Sequence, residues 1–480
     1  MKRNELFVVK KIGGSLYLLP VGQMIADWNR GIKINETCLY VWKQLKEDIS
    51  LDELLKRCEE HFAPAIDESG IESENDKDGK QEQGKNDDIR NLIRQDITGL
   101  VGSLRNRGML EGSRNVFKCN CQNCQNGLPI PKPIFLDQIG ALWDPDKKDA
   151  LSRLFGLFEI GGLSVSMFGE AGYFDENFES FRIAIGQDEK CQYIPEDVMT
   201  IWVRNIDEEG LMVQTEGFYD ETAEKKEFSF EEDDAAAFDS SVGCEEGKVL
   251  IHHNELTVYE YPAYYILIFN ELEGIEELHL TKDGRRAVFY CTSPTEELKF
   301  NLFHAIRIAY LIYALGKGKV MLHSSSILYK NRIWAFSAPS GTGKSTHCEI
   351  WNKLYGTPVI NGDLNLLGIE DDRAYVYGTP WCGTSGIFDT KIYPLGGVIL
   401  LKQGPQNLIK ELSDEQKELL VQQRLVTSVW DEAMLDKTFE IVSDLVENIY
   451  VTRYYCTKED EAAQIIHSSI ENYIVEQSKD

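Results

Sequence analysis

The chain has 480 residues, 42% of them apolar, and a formal net charge of −29. That length exceeds what one compact core serves, so about two to four domains are expected. The acidic balance argues against nucleic acid as the main partner, since phosphate backbones need clustered Lys and Arg. A basic ligand or peptide stays open. The start, Met1–Glu5, lacks the apolar core of a signal peptide, and no stretch approaches ~18 apolar residues, so a cytoplasmic chain without a membrane partner is expected. Eleven cysteines, scattered except for one cluster, fit reduced thiols better than a disulfide framework.

In chain order, the apolar runs Leu6–Val9 and Leu16–Leu19 flank Gly13-Gly14, a hairpin signal. Asn35 or Thr37 caps a helix carrying Leu39, Val41, Trp42 and Leu45. Ser50 caps a second, with Leu51, Leu54, Leu55 and Phe62. A third runs from about Ile89 to Arg107, with Leu92, Ile93, Ile97, Leu100 and Leu104 on one side. Between the second and third, 65–87 is nearly devoid of apolar residues and is expected to be a flexible insertion. Residues 1–112 thus read as a small winged-helix-like domain. Its pattern, Ile34-Asn35-Glu36-Thr37 with Trp42 and Leu45, then Ser50–Leu54, then Asp96-Ile97 with Leu100, Leu104 and Gly108-Met109-Leu110, resembles the PqqD-like family, whose members recognise leader peptides of ribosomally made, modified peptides. The resemblance implies that a precursor or leader peptide binds as an added strand on the hairpin edge at Leu16–Leu19, beside the face of 89–107. A purely structural winged-helix scaffold or a DNA-binding module is the alternative, the latter disfavoured by charge.

Residues 113–130 form a Cys-rich linker in which Cys119, Cys121 and Cys124 have a spacing that can hold Zn²⁺. No fourth ligand is obvious, and a reduced linker is the alternative. From 131 to 295 the pattern is β-rich, with Leu211–Val213, Val249–Ile251 and Tyr264–Phe269 strand-like and 221–239 an acid-rich loop. No motif in it names a chemistry. After Pro294, Leu298, Leu302, Phe303, Ile306, Ala309, Tyr310 and Tyr313 mark a buried helix ending at Gly316.

The strand-like run Val320–Ile327 precedes a second, Ile333–Phe336, and then Ala338-Pro339-Ser340-Gly341-Thr342-Gly343-Lys344-Ser345, followed by a helix over Thr346–Leu354. Strand, loop and helix supply the context of a phosphate-binding loop. Small residues let backbone N–H groups point inward at phosphates, at the positive end of the helix. Ser340, Gly341, Thr342, Gly343, Lys344, Ser345 and Thr346 are the candidate nucleotide-binding residues. Lys344 reaches the β and γ phosphates, and Ser345 offers a hydroxyl to Mg²⁺. Cys382 sits in a turn without a neighbouring base and reads as packing rather than a nucleophile.

Leu322-His323-Ser324-Ser325, the phosphate loop, Asn361-Gly362-Asp363 and Pro380-Trp381-Cys382-Gly383, in that order, resemble the HPr kinase/phosphorylase catalytic domain, whose fold is akin to ATP-type phosphoenolpyruvate carboxykinase. The resemblance covers roughly 300–475, within a C-terminal P-loop domain at 296–480. The chain as a whole is then an α/β and α+β multidomain protein. The resemblance implies ATP and Mg²⁺ as cofactors, with His323, Lys344 and Asp363 catalytic and Ser345 and Asp363 on the metal. The family has two adjacent aspartates where this chain has Gly362-Asp363, so one carboxylate role lacks its usual residue. Asp371, Asp372 and Asp389 are available acids, Thr384-Ser385-Gly386 can form a further small-residue loop, and Arg424 can offset transition-state charge. Three functions follow: a kinase acting on Ser or Thr of a peptide or small protein delivered by the N-terminal domain, an ATP-binding but catalytically weak leader-peptide partner of another enzyme, or a small-molecule phosphotransferase of carboxykinase type. Oligomeric assembly stays open.

Overall fold

A computed structural model of the chain describes residues 1–21, 32–68, 79–107, 109–111, 130–135, 154–184, 197–207, 247–252, 255–339 and 341–477. Contacts group the chain into two units, Met1–Leu128 with Val429–Leu435, and Pro129–Ser428 with Asp436–Asp480. Both mix helix and strand, and the second takes in 131–295 and most of 296–480 together.

In the first unit, β1 (Phe7–Ile12) and β2 (Ser15–Pro20) form an antiparallel hairpin. Its turn places Gly13 and Gly14 at φ 51° and 83°, the left-handed pair that matches strand twist. A third strand, β3 (Ile32–Ile34), pairs with Leu16–Leu18. The sheet order is β1-β2-β3. The expected free edge at Leu16–Leu19 is therefore an interior strand, and the edges belong to β1 and β3. The three residues of β3 are too few to show a strand pattern in the sequence.

Asn35 caps α1 (Glu36–Gln44), its Oδ1 accepting from Cys38 N at 2.9 Å. Ser50 Oγ likewise accepts from Glu53 N at the start of α2 (Leu51–Glu68). Helix α3 spans Gly79–Asn106 and so begins well before Ile89. Of the insertion expected at 65–87, the two ends, 65–68 and 79–87, are helical, and 69–78 lies outside the described residues. Ile93, Ile97, Val101 and Leu104 are buried on one stripe of α3 with Val41, Trp42 and Leu54. Leu92 is 60% exposed, because it lies about 100° round the helix from Ile93.

The second unit opens with an eight-stranded sheet of β4 (Leu154–Ile160), β5 (Leu163–Phe168), β6 (Met199–Asn205), β7 (Lys248–His252), β8 (Leu256–Glu260), β9 (Tyr264–Phe269), β10 (Ile275–Thr281) and β11 (Arg286–Cys291). Its order is β4-β5-β6-β11-β10-β9-β8-β7. The strand-like runs 249–251 and 264–269 lie in β7 and β9, whereas 211–213 and 221–239 fall outside the described residues. Helix α4 (Glu296–Gly316), capped by Thr295, packs against β6 and β10 of this sheet and against β12 (Lys319–Tyr329) of the next. By length and composition α4 could cross a membrane, yet 72% of its most apolar window is buried inside the fold, as a core helix requires.

The remaining elements are β13 (Arg332–Ser337), α5 (Lys344–Tyr355), β14 (Val359–Asn361), β15 (Leu364–Glu370), β16 (Arg373–Tyr377), β17 (Ile392–Gln403), β18 (Leu408–Lys410), α6 (Asp414–Gln422), β19 (Leu425–Val426), α7 (Glu432–Asn448), β20 (Tyr450–Cys456) and α8 (Asp460–Gln477). Two long strands change partners midway. Lys319–His323 of β12 pair with β15, and Ser324–Tyr329 with β13. In β17, Ile392–Pro394 pair with β16, and Leu395–Leu400 with β13. Such switches turn a corner between two sheets. Helix α5 covers β12 and β13 and meets α8, over a core that includes Trp334, Phe336, Trp351 and Tyr454.

His347 is buried in that core, where its Nε2 accepts from Trp351 Nε1 at 3.3 Å. Burial lowers its pKa from 6.5 to about 4. In the unfolded chain it takes a proton near 6.5, whereas the folded chain resists until about 4, so stability is lost as pH falls across that window. Wild type should lose about 3 kcal/mol more than His347→Gln over the window, read from denaturant unfolding at each pH. Parallel curves for the two proteins would contradict this.

Candidate active site

The site is built where β12 turns its corner. Ile333, Trp334, Ala335 and Phe336 are fully buried, and this apolar run carries β13 through the core to the loop at 338–343. Ser337 Oγ donates to His323 O at 2.7 Å, tying the loop's root to β12. Gly341 and Gly343 sit at φ 73° and 105°, left-handed values that glycine takes at no steric cost. Thr342 N donates to Pro339 O at 3.2 Å. Gly343 caps α5 without any side-chain hydrogen bond, which leaves the first-turn N–H groups and the positive helix end to an anion. Ser340 lies outside the described residues.

Lys344, the first residue of α5, is buried and donates to Ala338 O at 3.3 Å. Its Nζ also lies 3.0 Å from His323 Nε2. Burial, chiefly, lowers its pKa, and the charge of Arg424 acts in the same direction while Asp363 opposes both. His323 is the last β12 residue paired with β15, and its N donates to Arg424 O at 2.9 Å. Arg424 itself stands just after α6, and reaches the site through that carbonyl and through its charge on Lys344.

Asp363 follows β14 in a turn held from three sides. Ser324 N donates to Asp363 O at 2.8 Å, and Ser325 Oγ donates to Gly362 O at 2.6 Å. Asn361 Oδ1 accepts from both Asp363 N and Leu364 N at 2.9 Å, while its Nδ2 donates to Trp381 O at 3.2 Å. Asn361 and Ser325 stand in the quoted motifs, but the sequence gives neither of them a role. An Asn two residues before the acid is the signal of an Asx turn that could have found the first.

The Asp363 carboxylate lies 3.1 Å from His323 Nε2. The hydrogen bond from His323, helped by the charges of Lys344 and Arg307, holds it below the ordinary carboxylate value against the opposing effect of burial. One ring nitrogen thus faces both an ammonium and a carboxylate. It can donate to Asp363 or accept from Lys344, and cannot do both at once.

Gly362 and Gly383 are there for close approach. A Cβ on Gly362 would come within 2.1 Å of Ser385 Oγ. The space beside Asp363 where a second aspartate would need its side chain is thus taken by Ser385, whose hydroxyl donates to Cys382 O at 2.7 Å. A Cβ on Gly383 would fall 2.8 Å from Asp363 Oδ2. His323, Lys344, Ser345, Asp363, Thr384 and Ser385 line a cavity of about 650 Å³, with Gly341, Gly343 and Thr346 contributing from the loop and helix start. Thr342 is not on its wall, and its carbonyl accepts from Gln403 Nε2.

The other acids lie elsewhere. Asp371 and Asp372, at φ 48° and 58°, form the tight turn between β15 and β16, and Asp389 accepts from Tyr393 OH at 2.7 Å. Cys382 is buried and its thiol is pushed up by that burial, which suits packing. Cys119, Cys121 and Cys124 lie outside the described residues. Among the described residues no cluster of three His, Cys, Asp or Glu is arranged to hold a metal. The hydroxyl of Ser345 and the carboxylate of Asp363 are nevertheless hard oxygen donors of the kind that suffices for Mg²⁺ bound chiefly through phosphates.

No family model and no curated protein matches the chain. Among solved structures, the Hpr(Ser) kinase/phosphatase from Coxiella burnetii is a weak neighbour, with 8% sequence identity, 33% of this chain and 93% of that chain covered, and a TM-score of 0.21.

The Gly362–Ser385 contact yields a stability test. Gly362→Ala should cost about 1–3 kcal/mol by overpacking, and adding Ser385→Gly should recover most of the loss. Additive destabilisation in the double variant, measured by denaturant unfolding, would show that the two residues do not compete for one space.

Proposed function

We propose that this chain is an ATP-dependent phosphotransferase that phosphorylates a Ser or Thr hydroxyl of a peptide, with the first unit presenting that peptide. The observation that carries the reading is the convergence of Lys344, His323 and Asp363 on one cavity, at a glycine loop and an uncapped helix N-terminus. Phosphoryl transfer asks for little covalent chemistry from the protein. It needs phosphates cradled, charge neutralised and the acceptor aligned.

In this reading the loop N–H groups and Lys344 hold the β and γ phosphates. Ser345 and Asp363 would hold Mg²⁺, which when bound would neutralise charge developing on the phosphates. The acceptor hydroxyl lies against Asp363. The bond from γ phosphorus to the bridging oxygen breaks as the acceptor oxygen bonds to phosphorus, and the hydroxyl proton passes to the Asp363 carboxylate. A carboxylate held at low pKa is a weak base, which suits a loose transition state in which the proton leaves late. His323 orients Asp363 through Nε2 and frees Lys344 for phosphate when it does so. The peptide would add to an edge strand of the first unit, β3 or β1, as an extended segment.

Gly362 favours a second reading. With Ser385 in the space of a second carboxylate, the site can bind nucleotide and couple it to peptide affinity with little turnover. It predicts nucleotide-dependent peptide binding with no product.

Incubation with ATP, Mg²⁺ and a candidate precursor peptide should add ~80 Da, the mass of one phosphate, to the peptide. Lys344→Ala should abolish the gain, and an equal gain in that variant, or none in wild type, contradicts the kinase. The pH profile tests the role of His323. Asp363 must be ionised, and the hydrogen bond from His323 holds its carboxyl below the ordinary carboxylate value, which extends activity on the acid side. His323→Ala removes the main cause of the depressed value, so the acid limb of whatever activity remains should move to higher pH. An unmoved limb would separate His323 from Asp363.

A further inference from the structure

Helix α4 carries an arginine and a histidine outside the walls of the phosphate cavity. Arg307 Nε and His304 Nδ1 are both buried without a hydrogen-bond partner. No carboxylate among the described residues pairs with the Arg307 guanidinium, although its charge is felt at Asp363. Enclosing a guanidinium nitrogen with no acceptor is costly, and structures seldom carry that cost without a use for the group.

Its position is fixed by the helix. Phe303, Arg307 and Tyr310 fall at i, i+4 and i+7, on one face. The rings of Phe303 and Tyr310 lie 6.1 and 5.0 Å from that of Trp381, and Trp381 Nε1 donates to Phe303 O at 3.0 Å. Arg307 is thereby held on the face that meets Trp381, and the residues that follow Trp381, namely Cys382, Thr384 and Ser385, line the cavity. His304 is packed edge-on between Phe300, at 4.6 Å, and Phe303, at 5.6 Å. Phe300 is 61% exposed, so this end of the face is open to solvent. Burial first, and then the charge of Arg307, holds the imidazole below its ordinary pKa. At neutral pH the ring is therefore mostly uncharged, with one of its two nitrogens free to donate, beside a guanidinium that stays charged.

We propose that Arg307 and His304 form an anion subsite, separate from the phosphate loop and on the face of α4 that meets Trp381, which takes a carboxylate or phosphate carried by the acceptor close to its reacting hydroxyl. The planar guanidinium suits the paired oxygens of either group. Assigning the anion to the acceptor rests on the phosphotransfer reading; anion binding itself does not.

Equilibrium dialysis of the full chain against inorganic phosphate tests it. Wild type should bind one phosphate at the loop and another at α4. Lys344→Ala should lose the first and Arg307→Gln the second, with affinity for the lost phosphate weakened about tenfold or more. Arg307→Lys, which keeps the charge without the fork, should retain the second phosphate more weakly. Retention of the loop phosphate in Arg307→Gln shows that the loss there is not unfolding. Acetate competing for the α4 phosphate marks a site open to carboxylates, and failure to compete marks one restricted to phosphate. Wild-type stoichiometry in Arg307→Gln, or loss of both phosphates in Arg307→Gln and Arg307→Lys alike, overturns the subsite. Full phosphate binding in Lys344→Ala instead condemns the nucleotide reading and leaves the subsite standing, so the two failures are distinguishable.

Discussion

Everything at the site depends on the corner in β12. Between His323 and Ser324 the strand leaves β15 for β13, and the backbone groups freed there are taken up by Arg424 O and Asp363 O. Those two hydrogen bonds place the turn after α6 and the turn after β14 beside the root of the glycine loop. A buried strand cannot leave N–H groups unpaired. The same requirement that completes the sheet therefore brings a cation, an imidazole and a carboxylate together.

Electrostatics then gives each group a distinct state. Lys344 is pulled down by burial, and Asp363 is held low by His323, Lys344 and Arg307. The two share one imidazole nitrogen that can serve only one of them. A phosphate that takes over Lys344 would release His323 to Asp363, coupling nucleotide binding to the orientation of the acid. Gly362 and Gly383 allow the loop at 382–386 to lie against that acid, and so settle what stands beside it: a serine hydroxyl in place of a second carboxylate.

Much of the fold was legible locally. Asn35 and Ser50 mark helix starts by side-chain chemistry, Gly13-Gly14 marks a tight turn, and the apolar run 333–336 followed by small residues marks strand, loop and helix. What escaped were features decided by distant partners. The three-residue β3 has too few positions for a pattern, yet it turns β2 from an edge into an interior strand. Leu92 matches the apolar spacing of its helix but sits one residue off the stripe that Ile93, Ile97 and Val101 bury. Asn361 acts through a contact across the fold, and its neighbours in sequence say nothing of Trp381. The nearness of His323 to the glycine loop likewise depends on the β12–β13 pairing, and came into the sequence reading by resemblance rather than by pattern.

The central claim is that the cavity at the β12 corner holds a nucleotide phosphate chain with its metal between Lys344 and Asp363. Calorimetric titration of ADP with and without Mg²⁺ tests it most directly, in wild type, Lys344→Ala and Asp363→Asn. Wild type should bind more tightly with Mg²⁺, Lys344→Ala should lose affinity under both conditions, and Asp363→Asn should lose the gain from Mg²⁺ while keeping metal-free binding. Affinity indifferent to Lys344, or a Mg²⁺ effect undiminished in Asp363→Asn, would contradict the account.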